Sequence, residues 1–171
     1  TGSGKTNVIL KLIEKVIDDG KNVIVLVPEI ALTGQTVGRF TSVFGDKIAL
    51  IHSALSGGER MDAYKSISEG RARIVIGTRS AVFAPVKNLG LIVIDEEQEH
   101  TYKSDSSPRY HARDVARYRA WNEKALLLLC KSFSEILSPP GQRVLMRANT
   151  ANFSQSVCNC FRRVKIREPL G

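Results

Sequence analysis

The chain has 171 residues, of which 43% are hydrophobic and 25% charged, enough apolar material for one domain with a full-sized core. No run approaches the ~18 consecutive apolar residues of a membrane span, and no charged-then-apolar leader is visible after Thr1, so neither a membrane nor a secreted class is supported. The net charge of +8 is weak evidence for a nucleic-acid surface, because residues 1–129 hold 18 basic and 15 acidic side chains while residues 130–171 hold 7 and 2.

Thr1-Gly2-Ser3-Gly4-Lys5-Thr6 opens the chain as the end of a phosphate-binding loop. In the pattern G-x-x-x-x-G-K-[ST], Gly4-Lys5-Thr6 supplies the close, and the first glycine would lie before Thr1. Small residues there let backbone N–H groups turn inward around a triphosphate. Lysine adds a point charge at the β and γ phosphates, and the Thr6 hydroxyl is a ligand for Mg2+. The expected nucleotide-binding set is therefore Gly2, Ser3, Gly4, Lys5 and Thr6.

Val8, Ile9, Leu12, Ile13, Val16 and Ile17 recur at helical spacing and predict a helix from Lys5 to Asp18, stopping before Gly20. Short apolar runs follow at Val23 to Val27, Ile48 to Ile51, Ile74 to Ile76, Leu91 to Ile94 and Ala125 to Leu129. They are nearly continuous in Val, Ile and Leu, the pattern of strands buried on both faces of a parallel sheet. Helical patterns lie between them at Ala31 to Phe44, at Gly57 to Glu69 with Met61, Tyr64 and Ile67 on one face, and at Arg109 to Trp121. Alternating strand and helix predict an α/β fold with a mainly parallel sheet between two helical layers and ligand groups at the carboxyl ends of the strands.

The run Leu91-Ile92-Val93-Ile94 discharges into Asp95-Glu96-Glu97-Gln98. A carboxylate at a strand end can hold Mg2+, and a second can polarise an attacking water, which assigns Asp95 to the metal and Glu96 to the base. After Leu129 the pattern fails. Ser138-Pro139-Pro140-Gly141 interrupts any regular element, and residues 130–171 read as a divergent tail, either disordered or continued from another reading frame. Cys130, Cys158 and Cys160 are few and odd in number, which favours a reduced compartment, and Cys158-Asn159-Cys160 lacks the spacing of a zinc site.

Five blocks, VPEIALT (27–33), HSALSGGER (52–60), IGTRSAVFAP (76–85), DEEQEHTYK (95–103) and PRYHARD (108–114), run in order and resemble the helicase motifs of the PriA family of bacterial replication-restart proteins. The resemblance covers residues 1–129 and implies the first RecA-like lobe of a superfamily 2 DNA helicase, a P-loop NTPase lobe truncated at its amino end. It implies ATP and Mg2+ as cofactors, 3′ to 5′ movement on single-stranded or forked DNA, other primosome proteins as partners, and a bacterial cytoplasmic location. It also implies zinc, a second lobe and an amino-terminal DNA-binding domain elsewhere in such proteins, the paired zinc cysteines not being among these residues.

Carried over residue by residue, Lys5, Asp95, Glu96 and Gln98 would be catalytic, with Thr6 and Asp95 on the metal. Pro28, Glu29, Thr33, Gly77, Thr78 and Arg79 would lie along the DNA strand, where small residues and hydroxyls offer donors to phosphates. Thr33 serves as well as a helix cap, and Arg79 as a solvated surface residue. Tyr102, Lys103, Arg109, Tyr110 and His111 mix rings with cations and match an aromatic-rich loop that links DNA engagement to hydrolysis. Both tyrosines also suit a second role, pinning a long loop to the core. Gln98 replaces a common histidine, Gly34 a common proline, and Cys130-Lys131-Ser132 stands where relatives carry a Ser-Ala-Thr motif. Two alternatives to a replication-restart helicase remain: another superfamily 2 DNA translocase, or a truncated nucleotide- or DNA-binding chain that alone turns nothing over.

Overall fold

A computed structural model describes residues 5–131 and 145–148. Helix α1 (Lys5–Asp18) leads into strand β1 (Asn22–Leu26), then α2 (Gly34–Phe44), β2 (Ile48–Ile51), α3 (Gly57–Ser68), β3 (Ile74–Gly77), β4 (Leu89–Ile94), α4 (Ala112–Asn122), β5 (Leu126–Lys131) and β6 (Leu145–Ala148). The strands form one sheet in the order β2-β3-β1-β4-β5-β6. The first five are mutually parallel, and β6 pairs antiparallel with β5. Strand order reverses between β1 and β4, so the crevice outside the carboxyl ends of those strands is where an open α/β sheet binds ligands.

Alternation along each strand divides the core into two layers. Val23 and Val25 of β1, with Leu91 and Val93 of β4, pack on Ile9, Leu12, Ile13 and Val16 of α1 and on Phe40 and Phe44 of α2. The intervening Ile24, Leu26, Ile92 and Ile94 face Ile67 of α3 and Ala112, Ala116 and Ala120 of α4. The small alanine face of α4 brings that helix close to the sheet. All six residues of β4 are buried, as the unbroken apolar run implies.

Helix α1 has the expected bounds, whereas the second helix begins later than its apolar pattern suggests. Glu29–Ala31 form a separate 3-10 turn, and Thr33 then caps α2 by accepting from the Thr36 N–H at 3.3 Å. Helix α3 buries Ile67 but leaves Met61 68% exposed, so the expected Met61-Tyr64-Ile67 face is only partly a core face. Strand β5 continues past Leu129 to Lys131, and β6 lies within the segment expected to be irregular. The pairing of β6 with β5 supplies the regularity that the sequence of residues 130–171 does not announce. Among the described residues, no helix is long and apolar enough to cross a membrane.

Gly77, at the end of β3, has a packing role. A Cβ there would stand 2.0 Å from the Ile51 carbonyl oxygen and 2.7 Å from the Ala81 Cβ, so strand and turn could meet this closely only with glycine. Gly77→Ala is therefore expected to destabilise the fold by at least ~2 kcal/mol through backbone displacement. Denaturant unfolding of the variant should show a lowered midpoint, and an unchanged midpoint would contradict this contact.

Candidate nucleotide site and adjoining pocket

The start of α1 and the end of β4 meet outside the sheet. The Lys5 ammonium lies 2.7 Å from Asp95 Oδ1 and 3.2 Å from Glu96 Oε1, joining residues distant in sequence at one strand edge. Lys5 is only 8% exposed. Burial alone would lower its pKa, but hydrogen bonds and charge from Asp95 and Glu96 outweigh burial and hold it above the usual lysine value. The amine therefore stays charged across neutral pH.

Two successive residues of an extended strand point to opposite faces, so both carboxylates reach one ammonium only because the chain turns. Asp95 N–H still donates to the Leu26 carbonyl at 2.9 Å, continuing the β1–β4 ladder one residue beyond the strand. Glu96 then takes φ = 52°, in the left-handed region, at a cost of about 1 kcal/mol or more for a residue with a side chain. Its N–H donates to Asp95 Oδ1 at 3.1 Å, and its carbonyl accepts from Glu99 N–H at 2.9 Å. Gln98 Nε2 donates to Glu96 Oε2 at 3.1 Å, which puts the predicted glutamine in contact with the predicted base.

Glu97 turns the other way and is buried. Its carboxylate meets Lys131 Nζ at 3.3 Å, and its N–H donates to the Cys130 carbonyl at 2.9 Å, fastening the acidic turn to β5. Burial next to these acids pushes the Cys130 thiol up to about 12, so it remains a neutral, inert filler.

Thr6 is half-buried in the first turn of α1, next in sequence to Lys5; Gly2, Ser3 and Gly4 lie outside the described residues. Among the described residues no group of three or more His, Cys, Asp or Glu side chains that could hold a metal occurs. The Asp95 and Glu96 carboxylates offer oxygen alone, which fits a Mg2+ held by one or two carboxylates and by substrate phosphates better than a protein-built cage.

A concavity of about 260 Å³ opens at the carboxyl ends of β2 and β3, lined by Glu29, Ile51, Ser53, Arg60, Tyr64, Thr78, Arg79 and Ser80. Glu29, Thr78 and Arg79 were expected to lie along one path, and they meet here. Ser53, Arg60, Tyr64 and Ser80 were not singled out. The signal for them was available, since Ser53 follows an apolar strand just as Thr78 does, and Arg60 and Tyr64 are one helical turn apart. Pro28 is buried beneath this edge, and Thr33 is engaged as the α2 cap.

The loop from Asp95 to His111 corrects the expectation for Tyr102. Its ring is 1% exposed, packed in the core layer with Leu26 and Ile94, so no base can stack on it. Arg79 is not a solvated residue: its Nη1 donates to the carbonyls of Thr101 at 3.3 Å and Lys103 at 3.0 Å. Tyr110 is half-buried and packs edge-to-face on Phe83, with centroids 4.9 Å apart. His111 is engaged as a helix cap. Burial and nearby Arg113 lower its pKa, and the neutral ring accepts the Arg113 N–H on Nδ1 at 3.2 Å as the cap of α4. Lys103 and Arg109 remain exposed.

A family model described as DEAD/DEAH box helicase matches residues 1–155. The chain is 52% identical over 129 residues to the replication restart protein PriA of Bacillus subtilis, covering 75% of this chain and 16% of that protein. It is 44% identical over 157 residues to the replication restart protein PriA of Chlamydia pneumoniae, covering 88% of this chain and 21% of that protein. The chain thus spans about a fifth or less of the length of these relatives. Among solved structures, the C-terminal domain of S. cerevisiae Dbp5 superposes with a TM-score of 0.52 at 13% identity, covering 93% of this chain and 81% of that one, and shows the fold alone.

The His111 cap generates a pH dependence. Its folded pKa lies below the ordinary 6.5, so its contribution to stability is complete above pH 6.5 and is lost as pH falls through the folded pKa. His111→Asn keeps a capping oxygen that does not titrate. Between about pH 8 and about pH 5 the variant should lose less thermal stability than the parent. Parallel melting profiles would remove the cap from the account.

Proposed function

This chain belongs to the DEAD/DEAH box helicase family, and from that membership and its similarity to replication restart proteins we propose that it is the ATP-binding lobe of an ATP-dependent DNA helicase of replication restart. The activity is proposed for the complete protein that carries the lobe. One observation carries the reading: a lysine at the start of a helix meets two consecutive carboxylates at the end of a buried strand, 91 residues away. Lys5 would meet the β and γ phosphates, Asp95 with Thr6 would hold Mg2+, and Glu96, oriented by Gln98, would accept the proton of the attacking water. Bound Mg2+ would supply neutralisation of the phosphate charge.

The ammonium already sits against carboxylates, so an arriving phosphate exchanges one anionic partner for another. That exchange keeps a buried cation satisfied throughout, which favours retention of Lys5 in a fixed position. Phosphates of a single DNA strand would meet the pocket between α3 and β3, with Arg60 and Arg79 supplying charge and Ser53, Thr78 and Ser80 hydroxyl donors. Glu29 on the pocket wall would disfavour crowding of phosphates on its side. Resemblance to the replication-restart helicases adds 3′ to 5′ movement on forked or single-stranded DNA and other restart proteins as partners.

Lys5→Ala is expected to reduce ATP turnover of the complete protein by about a hundredfold or more, since the transition-state charge loses its partner. Glu96→Gln should retain nucleotide affinity while turnover falls comparably, because shape is kept and the base is lost. Measured by nucleotide binding and steady-state hydrolysis, near-normal turnover in Lys5→Ala would overturn the site, and a parallel loss of affinity in Glu96→Gln would make Glu96 a binding residue instead.

A further inference from the structure

Tyr102 lies seven residues beyond Asp95, yet its hydroxyl returns to the carboxylate turn. It is 2.5 Å from the Asp95 carbonyl and 3.1 Å from the Leu26 carbonyl, at the ends of the adjacent strands β4 and β1. Burial raises its pKa, with Asp95 the next cause, so the hydroxyl stays protonated and donates. The same Leu26 carbonyl accepts the Asp95 N–H, so one phenol sits at the junction that fixes where Asp95 begins.

This junction needs fixing. Glu96 adopts a left-handed conformation that a residue with a side chain takes only when its surroundings impose it. Tyr102 is itself held from both sides, because Arg79 Nη1 bonds the carbonyls of Thr101 and Lys103, the residues that bracket it. Arg79 comes from the turn after β3, on the far side of β1 from Asp95, and also lines the pocket. A guanidinium has five N–H donors in a rigid fork; a lysine in its place would offer a single flexible ammonium.

We propose that Tyr102 and Arg79 are positioning residues for the carboxylate turn, Tyr102 acting through the Asp95 carbonyl and Arg79 through the two carbonyls that bracket Tyr102. The proposal rests on the reading of Asp95 and Glu96 as nucleotide-site carboxylates. It assigns Tyr102 to the ATP side of the lobe, where its position in an aromatic-rich loop had suggested the DNA side. A displaced turn would move Asp95 and Glu96 together, harming metal placement and proton acceptance while leaving the bulk of nucleotide binding to α1 and its preceding loop.

The test uses the complete protein with Tyr102→Phe and Arg79→Lys, singly and together. Phenylalanine keeps the ring in the core and removes only the hydroxyl. Tyr102→Phe is expected to lower kcat about tenfold with KM for ATP changed less than about twofold, since small misplacement of reacting groups acts on the chemical step. The Mg2+ concentration that half-saturates binding of a fluorescent ADP analogue should rise about threefold, a readout independent of turnover. Arg79→Lys should lower kcat in the absence of any nucleic acid, and the double variant should resemble the worse single one, as residues acting through one turn are non-additive. A loss of melting temperature alone, with kcat and Mg2+ dependence at parental values, would overturn the proposal. So would a defect of Arg79→Lys confined to assays with DNA, or effects that multiply. Full turnover by Lys5→Ala would instead sink the nucleotide-site reading on which this inference stands.

Discussion

Burial of β1 and β4 on both faces governs where chemistry can occur in this molecule. Neither strand carries an ionisable side chain along its length, and every residue of β4 is buried. A polar group placed mid-strand would need a partner within the core, at a penalty of about 1–3 kcal/mol without one. Functional side chains are therefore displaced to the carboxyl ends, where the ladder stops and water enters. The bond from Asp95 N–H to the Leu26 carbonyl extends the sheet one residue past β4, so the first carboxylate inherits the rigidity of the strand.

Three consecutive acids then meet three different fates. Asp95 continues the ladder, Glu96 turns left-handed to share Lys5, and Glu97 is buried against Lys131 and bonded to β5. Charge balance explains why this crowding is tolerated. Each buried or half-buried carboxylate has a lysine within ion-pair distance, and breaking such a pair by removing one partner costs more than the pair itself contributes. The turn is thus held on one side by α1 and on the other by β5, and its geometry depends on both.

The layers of the fold were readable because they follow from periodicity alone. Six apolar residues between Val8 and Ile17 recur at helical spacing, and α1 occupies the expected span. The continuous runs gave five strands, each displaced by no more than two residues at either end. Spacing was less informative for α3, where Met61 and Ile67, six residues apart, lie about 120° apart around the helix at ~100° per residue, and only Ile67 is buried. The meeting of Lys5 with Asp95 and Glu96 was legible, since a lysine opening a helix and acids closing a buried strand both fall at the carboxyl end of the sheet. Tyr102 was not. A ring flanked by Thr101 and Lys103 looks the same in sequence whether it faces water or folds under its own loop, and only the bond to Asp95 separates the two. His111 misled for a related reason: histidine beside arginines suggests a cationic surface, yet burial first and Arg113 second lower its pKa, and the ring serves as a helix cap.

The loop between Asp95 and His111 accordingly has two parts with different physics. Its root is fixed by Tyr102 in the core, by the Arg79 bonds to its carbonyls, and by the pairing of Lys103 with His111, reinforced by the Ser104 N–H to the Tyr110 carbonyl at 2.8 Å. Its tip, from Asp105 to Arg109, is exposed. Nearly every polar backbone bond of the loop is therefore made at the root, and a load applied to the tip is borne by that short paired segment. Because the root touches Asp95 through one side chain, and Arg79 reaches it from the pocket side of β1, the carboxylate turn and the pocket wall share a support. Spatial continuity of this kind becomes coupling only where the root takes up two arrangements that both places bias.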